Sequence, residues 1–305
     1  MMERITLTRD GMELSARIGG DGPLVILLHG FPDTWESWHQ QWPVLIKAGY
    51  RCLVPTMRGY EPGSARLDKA HYGIDRVAAD VIAWMDHLNV SQAHLVGHDW
   101  GAATAYLATA KFPERFISLS TLAIPHISGL KTGLRQHPIQ LLNSSYMALF
   151  QLKGFSEWCC RRKDFGFIEF LWRRWSPDLQ DSETRRRALA AVKKTLSDPH
   201  VLTATLNYYR AFFSPSNRPD PATMASPLQI PTQMLAGAND GCMDVRLYGC
   251  MDPGSFSAEW EVVRFPNAGH FMQLEVPDQV NERLLQWLQK FSAVEVEKPE
   301  IQHST

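Results

Sequence analysis

The sequence predicts an α/β fold whose central sheet is mostly parallel and whose chain is interrupted by a block of helices. Short apolar runs alternate with helix-length segments over the first 122 residues, resume after residue 231, and are absent between 127 and 220. Such runs suit parallel strands covered on both faces, and their alternation with helices is the α/β pattern.

In chain order, the first element is a hairpin: Ile5 and Leu7, then Met12 and Leu14, alternate with polar residues around an Asp10-Gly11 turn. Buried strands follow at Leu24 to Leu28, Arg51 to Val54, Ala93 to Val96 and Phe116 to Leu122. A helix is predicted from about Asp75 to Leu88, because Val77, Val81, Trp84, Met85 and Leu88 share one face at three- and four-residue spacing. Aromatic- and arginine-rich stretches such as Phe150 to Trp175 and Thr184 to Phe213 read as helical. Strands resume at Thr232 to Ala236 and Glu261 to Phe265, a last amphipathic helix spans about Pro277 to Phe291, and the polar tail from Glu295 reads as frayed. The expected organisation is therefore one discontinuous domain, residues 1–127 and 221–305, carrying a helical cap at 128–220.

Composition narrows the function classes. With 45% hydrophobic residues among 305, the chain can bury a large core. Lys plus Arg total 31 against 32 Asp plus Glu, so no basic excess points to nucleic acid. That balance hides an asymmetry: residues 128–220 hold 15 basic and 8 acidic side chains, leaving the remainder acidic. Solvated helix faces are the plain explanation, and an anionic substrate or an oppositely charged core surface is the other. Five cysteines without a C-x-x-C pair, a charged N-terminus and the lack of a long apolar run lead us to expect a cytoplasmic protein with reduced thiols and no membrane association.

The strongest motif is Gly97-His98-Asp99-Trp100-Gly101, placed after the apolar run ending at Val96 and before the small residues Ala102 and Ala103. This is the pattern of a nucleophile elbow, a sharp strand-to-helix turn that needs small residues around the nucleophile. Its centre is Asp99 rather than serine. A carboxylate attacking an ester would give a mixed anhydride, whereas attack on an sp³ carbon bearing a leaving group gives an alkyl ester that water can cleave. Epoxides and alkyl halides are the substrates that fit.

Three further segments agree. His29-Gly30-Phe31-Pro32 follows a strand and can offer the Phe31 amide, together with that of Trp100, as an oxyanion hole; Pro32 there suits a cis peptide. Asn267-Ala268-Gly269-His270 places His270 after a late strand as general base, with His98 the weaker rival because neighbouring elbow side chains cannot both face one cavity. Gly237-Ala238-Asn239-Asp240 supplies an acid to orient the imidazole, with Asp244 the nearby competitor. Nucleophile, acid and base then occur in the chain order expected of this elbow.

With these motifs and the Arg58-Gly59-Tyr60 turn, the sequence resembles the epoxide hydrolases of the α/β-hydrolase fold along essentially its whole length. The resemblance implies two cap tyrosines that bind the epoxide oxygen and protonate the alkoxide. Tyr146 and Tyr209 fall at the matching places, and Tyr208 is the substitute if the register slips. Pro55-Thr56-Met57 and Tyr60-Glu61-Pro62-Gly63 depart from the family pattern in the loop around the arginine turn. Seven of the 10 tryptophans, at 35, 38, 42, 100, 158, 172 and 175, fall in motif loops or the cap, so the pocket should be apolar; Phe31, Trp100 and Trp35 are the expected lining.

The closest rival is a haloalkane dehalogenase using the same aspartate. It would hold the departing halide with a Trp after the nucleophile plus an Asn after His-Gly or a cap Trp; Trp100 is present, but the position after His-Gly holds Phe31, and two acid tyrosines serve no purpose in halide release. A non-catalytic binding protein would have no need of a general base. The expected partners are a small apolar epoxide and water, with a homodimer as the one protein assembly considered; no cofactor and no metal are expected.

Overall fold

The computed structural model describes residues 2–179, 182–217, 219–220, 222–223 and 226–292, so the tail from Glu295 lies outside the described residues. Eight strands form one sheet: β1 (Glu3–Arg9), β2 (Met12–Gly19), β3 (Leu24–Leu28), β4 (Arg51–Pro55), β5 (Ala93–His98), β6 (Phe116–Leu122), β7 (Thr232–Gly237) and β8 (Trp260–Phe265). Their spatial order is β1-β2-β4-β3-β5-β6-β7-β8. The hairpin β1–β2 pairs antiparallel with Leu7 opposite Leu14, β2 runs antiparallel to β4, and β3 to β8 are mutually parallel. Every strand read from the sequence is present, most extended by one or two residues.

Alternation along the strands divides the core. Ile26 and Leu28 of β3 face one apolar cluster, Val25 and Leu27 the other. On the first side lie α2 (Ile74–His87) and α3 (Trp100–Lys111), with Val77, Val81, Trp84 and Met85 of α2 buried as the periodicity requires. On the second lie α1 (Trp42–Lys47) and the last helix (Pro277–Ser292), which buries Val280, Leu284 and Leu288. The chain therefore leaves β3 and its neighbour β5 toward opposite faces, which opens a crevice at their carboxyl ends. Open α/β sheets place ligands at such a switch point.

Between β6 and β7 the chain runs through α4 (Ser128–Gln136), α5 (Ile139–Asn143), α6 (Tyr146–Phe150), α7 (Phe155–Trp175), α8 (Glu183–Leu196) and α9 (Pro199–Phe212). No strand occurs among the described residues of this stretch. Pro199 at the first turn of α9 and Asp198, whose carboxylate accepts from the His200 and Val201 amides, fix that helix start. α7 is broken in its middle: Lys163, Asp164 and Phe165 all have positive φ, between 50° and 61°. A short helix, α10 (Met272–Glu275), precedes the last one, which we label α11.

Candidate active site

The elbow is built by backbone proximity. Asp99 adopts φ 52° and ψ −118° between β5 and α3, a conformation costly for a residue with a Cβ. A Cβ on Gly97 would lie 2.4 Å from the Gly101 carbonyl oxygen, and one on Gly101 would lie 2.3 Å from that of Leu28, so the flanking glycines are a steric requirement. The Asp99 side chain is 5% exposed.

The loop after β3 reaches the same point. Its Phe31-Pro32 bond is cis, and the Phe31 amide donates to Asp99 Oδ1 at 2.7 Å. His29 holds this loop: its Nε2 accepts from the Met57 amide at 3.0 Å while Nδ1 faces the Gly30 carbonyl at 3.1 Å. Trp100, carrying the second expected amide, follows Asp99 directly as the first residue of α3.

The other Asp99 oxygen, Oδ2, lies 3.6 Å from His270 Nε2. His270 Nδ1 donates to Asp240 Oδ2 at 2.9 Å, and Asp240 Oδ1 accepts from the Cys242 and Met243 amides at 2.7 and 2.9 Å. His270 Nε2 is buried without a hydrogen-bond partner among the described residues. Burial disfavours the imidazolium, but the carboxylates of Asp240 and Asp99 outweigh it and push the pKa of His270 up to about 10. The two rivals are engaged elsewhere. His98 Nε2 donates to the His270 carbonyl at 2.9 Å, and Asp244 pairs with Arg246.

Both cap tyrosines come to this group. The Tyr209 ring packs edge-on to Phe31, Trp100, Phe150 and Tyr146, and its hydroxyl is buried with the Trp100 and Tyr146 side chains as its polar neighbours. Tyr146 stands against Trp175, with its hydroxyl 3.6 Å from Cys242 Sγ. Burial, reinforced by the Asp99 carboxylate, raises both phenols well above their ordinary range, so both remain O–H donors at neutral pH. Tyr208 is turned away: its hydroxyl donates to the Arg58 carbonyl at 2.8 Å. Arg58, from the turn after β4, is itself buried and bidentate to Asp80.

Trp35 is not brought to this group. It packs against the opposite apolar cluster with Trp38 and Trp42 nearby in that layer, and the Arg17 guanidinium lies over its ring at 5.0 Å. Trp158 is half exposed on the cap, with Phe155 stacked on it. Trp172 and Trp175 do pack inward, the former stacked on Phe271 at 3.8 Å. Trp100 also borders an apolar cavity of about 440 Å³ that Tyr106, Ile124, His126 and Phe212 help to line.

Contacts that sequence reasoning did not anticipate tie these loops together. The Trp175 carbonyl, at the end of α7, accepts from the amides of both His270 and Gly241, at 2.9 and 3.2 Å. Ser176 Oγ accepts from the Phe271 amide and donates to Glu275, whose other oxygen accepts from the Gly269 amide. Burial pushes the Glu275 carboxyl up to about 7 despite these bonds. Cys242 lies within 4.8 Å of the donor atoms of Asp240 and His270. Nothing in the local sequence marks Ser176 or Glu275, because their partners are distant in the chain.

Comparison with known proteins places this geometry in a family. The alpha/beta hydrolase fold family matches residues 23–277. The chain is 32% identical over 282 residues to the AB hydrolase superfamily protein YfhM of Bacillus subtilis (strain 168), spanning 92% of this chain and 95% of that one. It is 30% identical over 275 residues to Epoxide hydrolase 4 of Homo sapiens, spanning 88% of this chain and 73% of the human protein. A solved structure of a Vigna radiata epoxide hydrolase mutant superposes with a TM-score of 0.80 at 24% identity, over 95% of this chain and 99% of that one, a likeness of fold.

Proposed function

The chain belongs to the alpha/beta hydrolase fold family, and from that premise we propose that it is an epoxide hydrolase working through an Asp99-linked ester. The observation that carries the reading is the pair of neutral phenols, Tyr146 and Tyr209, buried together near an aspartate where hydrolases of esters have serine.

In the first step Asp99 Oδ2 attacks an oxirane carbon, and the carbon–oxygen bond opens as Tyr209 and Tyr146 donate to the departing oxygen. One phenol gives up its proton and the product is a hydroxyalkyl ester. Oδ1, already held by the Phe31 amide, becomes the ester carbonyl oxygen. Esterification removes the charge of Asp99, one of the two carboxylates that hold His270 protonated. The ring can then pass its Nε2 proton, by way of water, to the phenolate left by ring opening, and act as base on a water that adds to the ester carbon. The Phe31 and Trp100 amides would hold the oxyanion as the diol leaves.

The cap, residues 128–220, brings both tyrosines to the site and shields it from bulk water, and the apolar surroundings favour an uncharged epoxide. The five cysteines are all free, which supports the reading of a reducing, cytoplasmic compartment. Among the described residues no helix is long and apolar enough to cross a membrane.

A panel of aryl and alkyl epoxides run beside 1-haloalkanes tests the activity, with diol and halide measured together. Diol formation lost in Asp99→Ala is the expected result. Halide release without diol formation would replace the reading with the dehalogenase. Mixing His270→Gln with substrate should leave an adduct on the protein by intact mass, and consumption of epoxide without one would contradict the ester.

A further inference from the structure

Cys242 has no part in the chemistry above, yet its thiol shares the space of the acid and the base. Cys242 Sγ, a ring nitrogen of His270 and an Asp240 oxygen all lie within 4.8 Å of one another, Nδ1 is the nitrogen that faces Asp240, at 2.9 Å, and the thiol is 3% exposed. The loop that carries it is short and tied down: Asp240 Oδ1 accepts from the Cys242 amide, Gly241 donates to the Trp175 carbonyl, and the Cys242 carbonyl accepts from Gln140 Nε2 at 2.9 Å. Sulfur, imidazole nitrogen and carboxylate oxygen at this separation form the donor set of a zinc-class ion, needing shifts of roughly an ångström to close on metal–ligand distances of about 2.0–2.3 Å.

We propose that Cys242, His270 and Asp240 form an inhibitory site for a soft divalent cation such as Zn²⁺ or Cd²⁺. Binding releases two protons to solvent, one from the thiol and one from Nδ1, and places the metal on Nδ1. In the neutral ring the remaining proton must then sit on Nε2, facing Asp99 Oδ2. The lone pair that should accept a proton from water is thereby lost, and Asp240 is diverted from orienting the ring. Tyr146 also loses the sulfur against which its hydroxyl rests. The metal would therefore stop the second step by fixing the wrong tautomer, with no need to fill the substrate space.

Metal binding is independent of what the enzyme hydrolyses; only the inhibition rests on the epoxide hydrolase reading. Cd²⁺ is titrated into the wild type and Cys242→Ser while the ultraviolet thiolate-to-cadmium band and the melting temperature are followed. Separately, diol formation is measured against Zn²⁺. We expect the wild type to show the band and a cadmium-dependent rise in Tm, both absent from Cys242→Ser. We expect half-inhibition of that variant to need at least about tenfold more Zn²⁺. An equal band and equal zinc sensitivity in the two proteins would assign metal binding to another cysteine, and no band in the wild type would also overturn the site. If no epoxide is turned over at all, the absorbance and melting measurements still decide the metal site on their own.

Discussion

At Tyr208 and Tyr209 two adjacent side chains of the same kind have opposite fates. The hydroxyl of Tyr208 is used within the fold, donating to the Arg58 carbonyl, whereas that of Tyr209 makes no hydrogen bond to the backbone and is buried beside Asp99, Trp100 and Tyr146. Its loss therefore costs the fold less than the loss of the Tyr208 hydroxyl. Removing it by Tyr209→Phe should leave the melting temperature unchanged or slightly raised while slowing ester formation by about 10²–10⁴-fold, the range for a lost general acid. Tyr208→Phe should do the reverse, with ester formation within a few-fold of wild type and stability lower by about 1 kcal/mol. Single-turnover kinetics and urea melts of both variants check this, and a larger kinetic effect at Tyr208 would transfer the role. The sequence alone could place Tyr209 only through resemblance, because the choice between neighbours depends on which face of α9 meets the core. That Asp99, Phe31, His270 and Asp240 would meet could be anticipated because each sits in a local motif next to a recognisable strand. Trp35 was misread for the opposite reason: its motif loop is near the site, but the side chain turns to the other face of the sheet.

The end of α7 touches both the loop that carries Asp240 and the loop that carries His270. The Trp175 carbonyl clamps the His270 and Gly241 amides, and a Cβ on Gly241 would lie 2.0 Å from the Arg174 carbonyl oxygen. That contact is backbone against backbone, so no side-chain rotation relieves it. Gly241→Ala should cost about 1–3 kcal/mol, as overpacking does, and should displace the Asp240 loop. The expected signature is a fall in hydrolysis of the ester greater than any fall in its formation, read from pre-steady-state burst amplitudes. Equal slowing of both steps would show that the loop does not depend on this contact. The strands and α2 could be read from periodicity, since burial imposes it. The break in α7 could not, because Lys163, Asp164 and Phe165 take left-handed backbone without any glycine or asparagine to announce it. The clamp was equally hidden: it is made by a carbonyl, and any residue at 175 would supply one.

The near-neutral net charge of the whole chain says little about its pH response, which is set by a handful of buried groups. Burial holds His29, His94 and His126 at about 4 and His98 at about 3, so these four stay neutral in the folded protein. Against an unfolded value of 6.5, their contribution is lost as pH falls below 6.5 toward 4, because the unfolded chain takes up protons there. Buried acids and His270 act the other way. Burial raises Asp80, Asp33 and Glu275, the last two to about 7, and neighbouring carboxylates raise His270 to about 10. A raised folded pKa means the native state holds the proton longer, so stability is full below the unfolded value and is lost as pH rises through the folded one. For His270 that window runs from 6.5 to about 10. Four histidines outnumber three acids at pH 5, the opposing contributions balance at about pH 6.5, and His270 dominates above it. Stability to urea should therefore peak at about pH 6.5 and decline on both sides. In His270→Gln the alkaline decline should flatten between pH 7 and 9 while the acid limb stays in place, a difference that urea midpoints across the pH range would resolve. An alkaline limb unchanged in that variant would mean that Asp99 and Asp240 do not hold a charged ring between them, and the base would then begin the cycle already neutral.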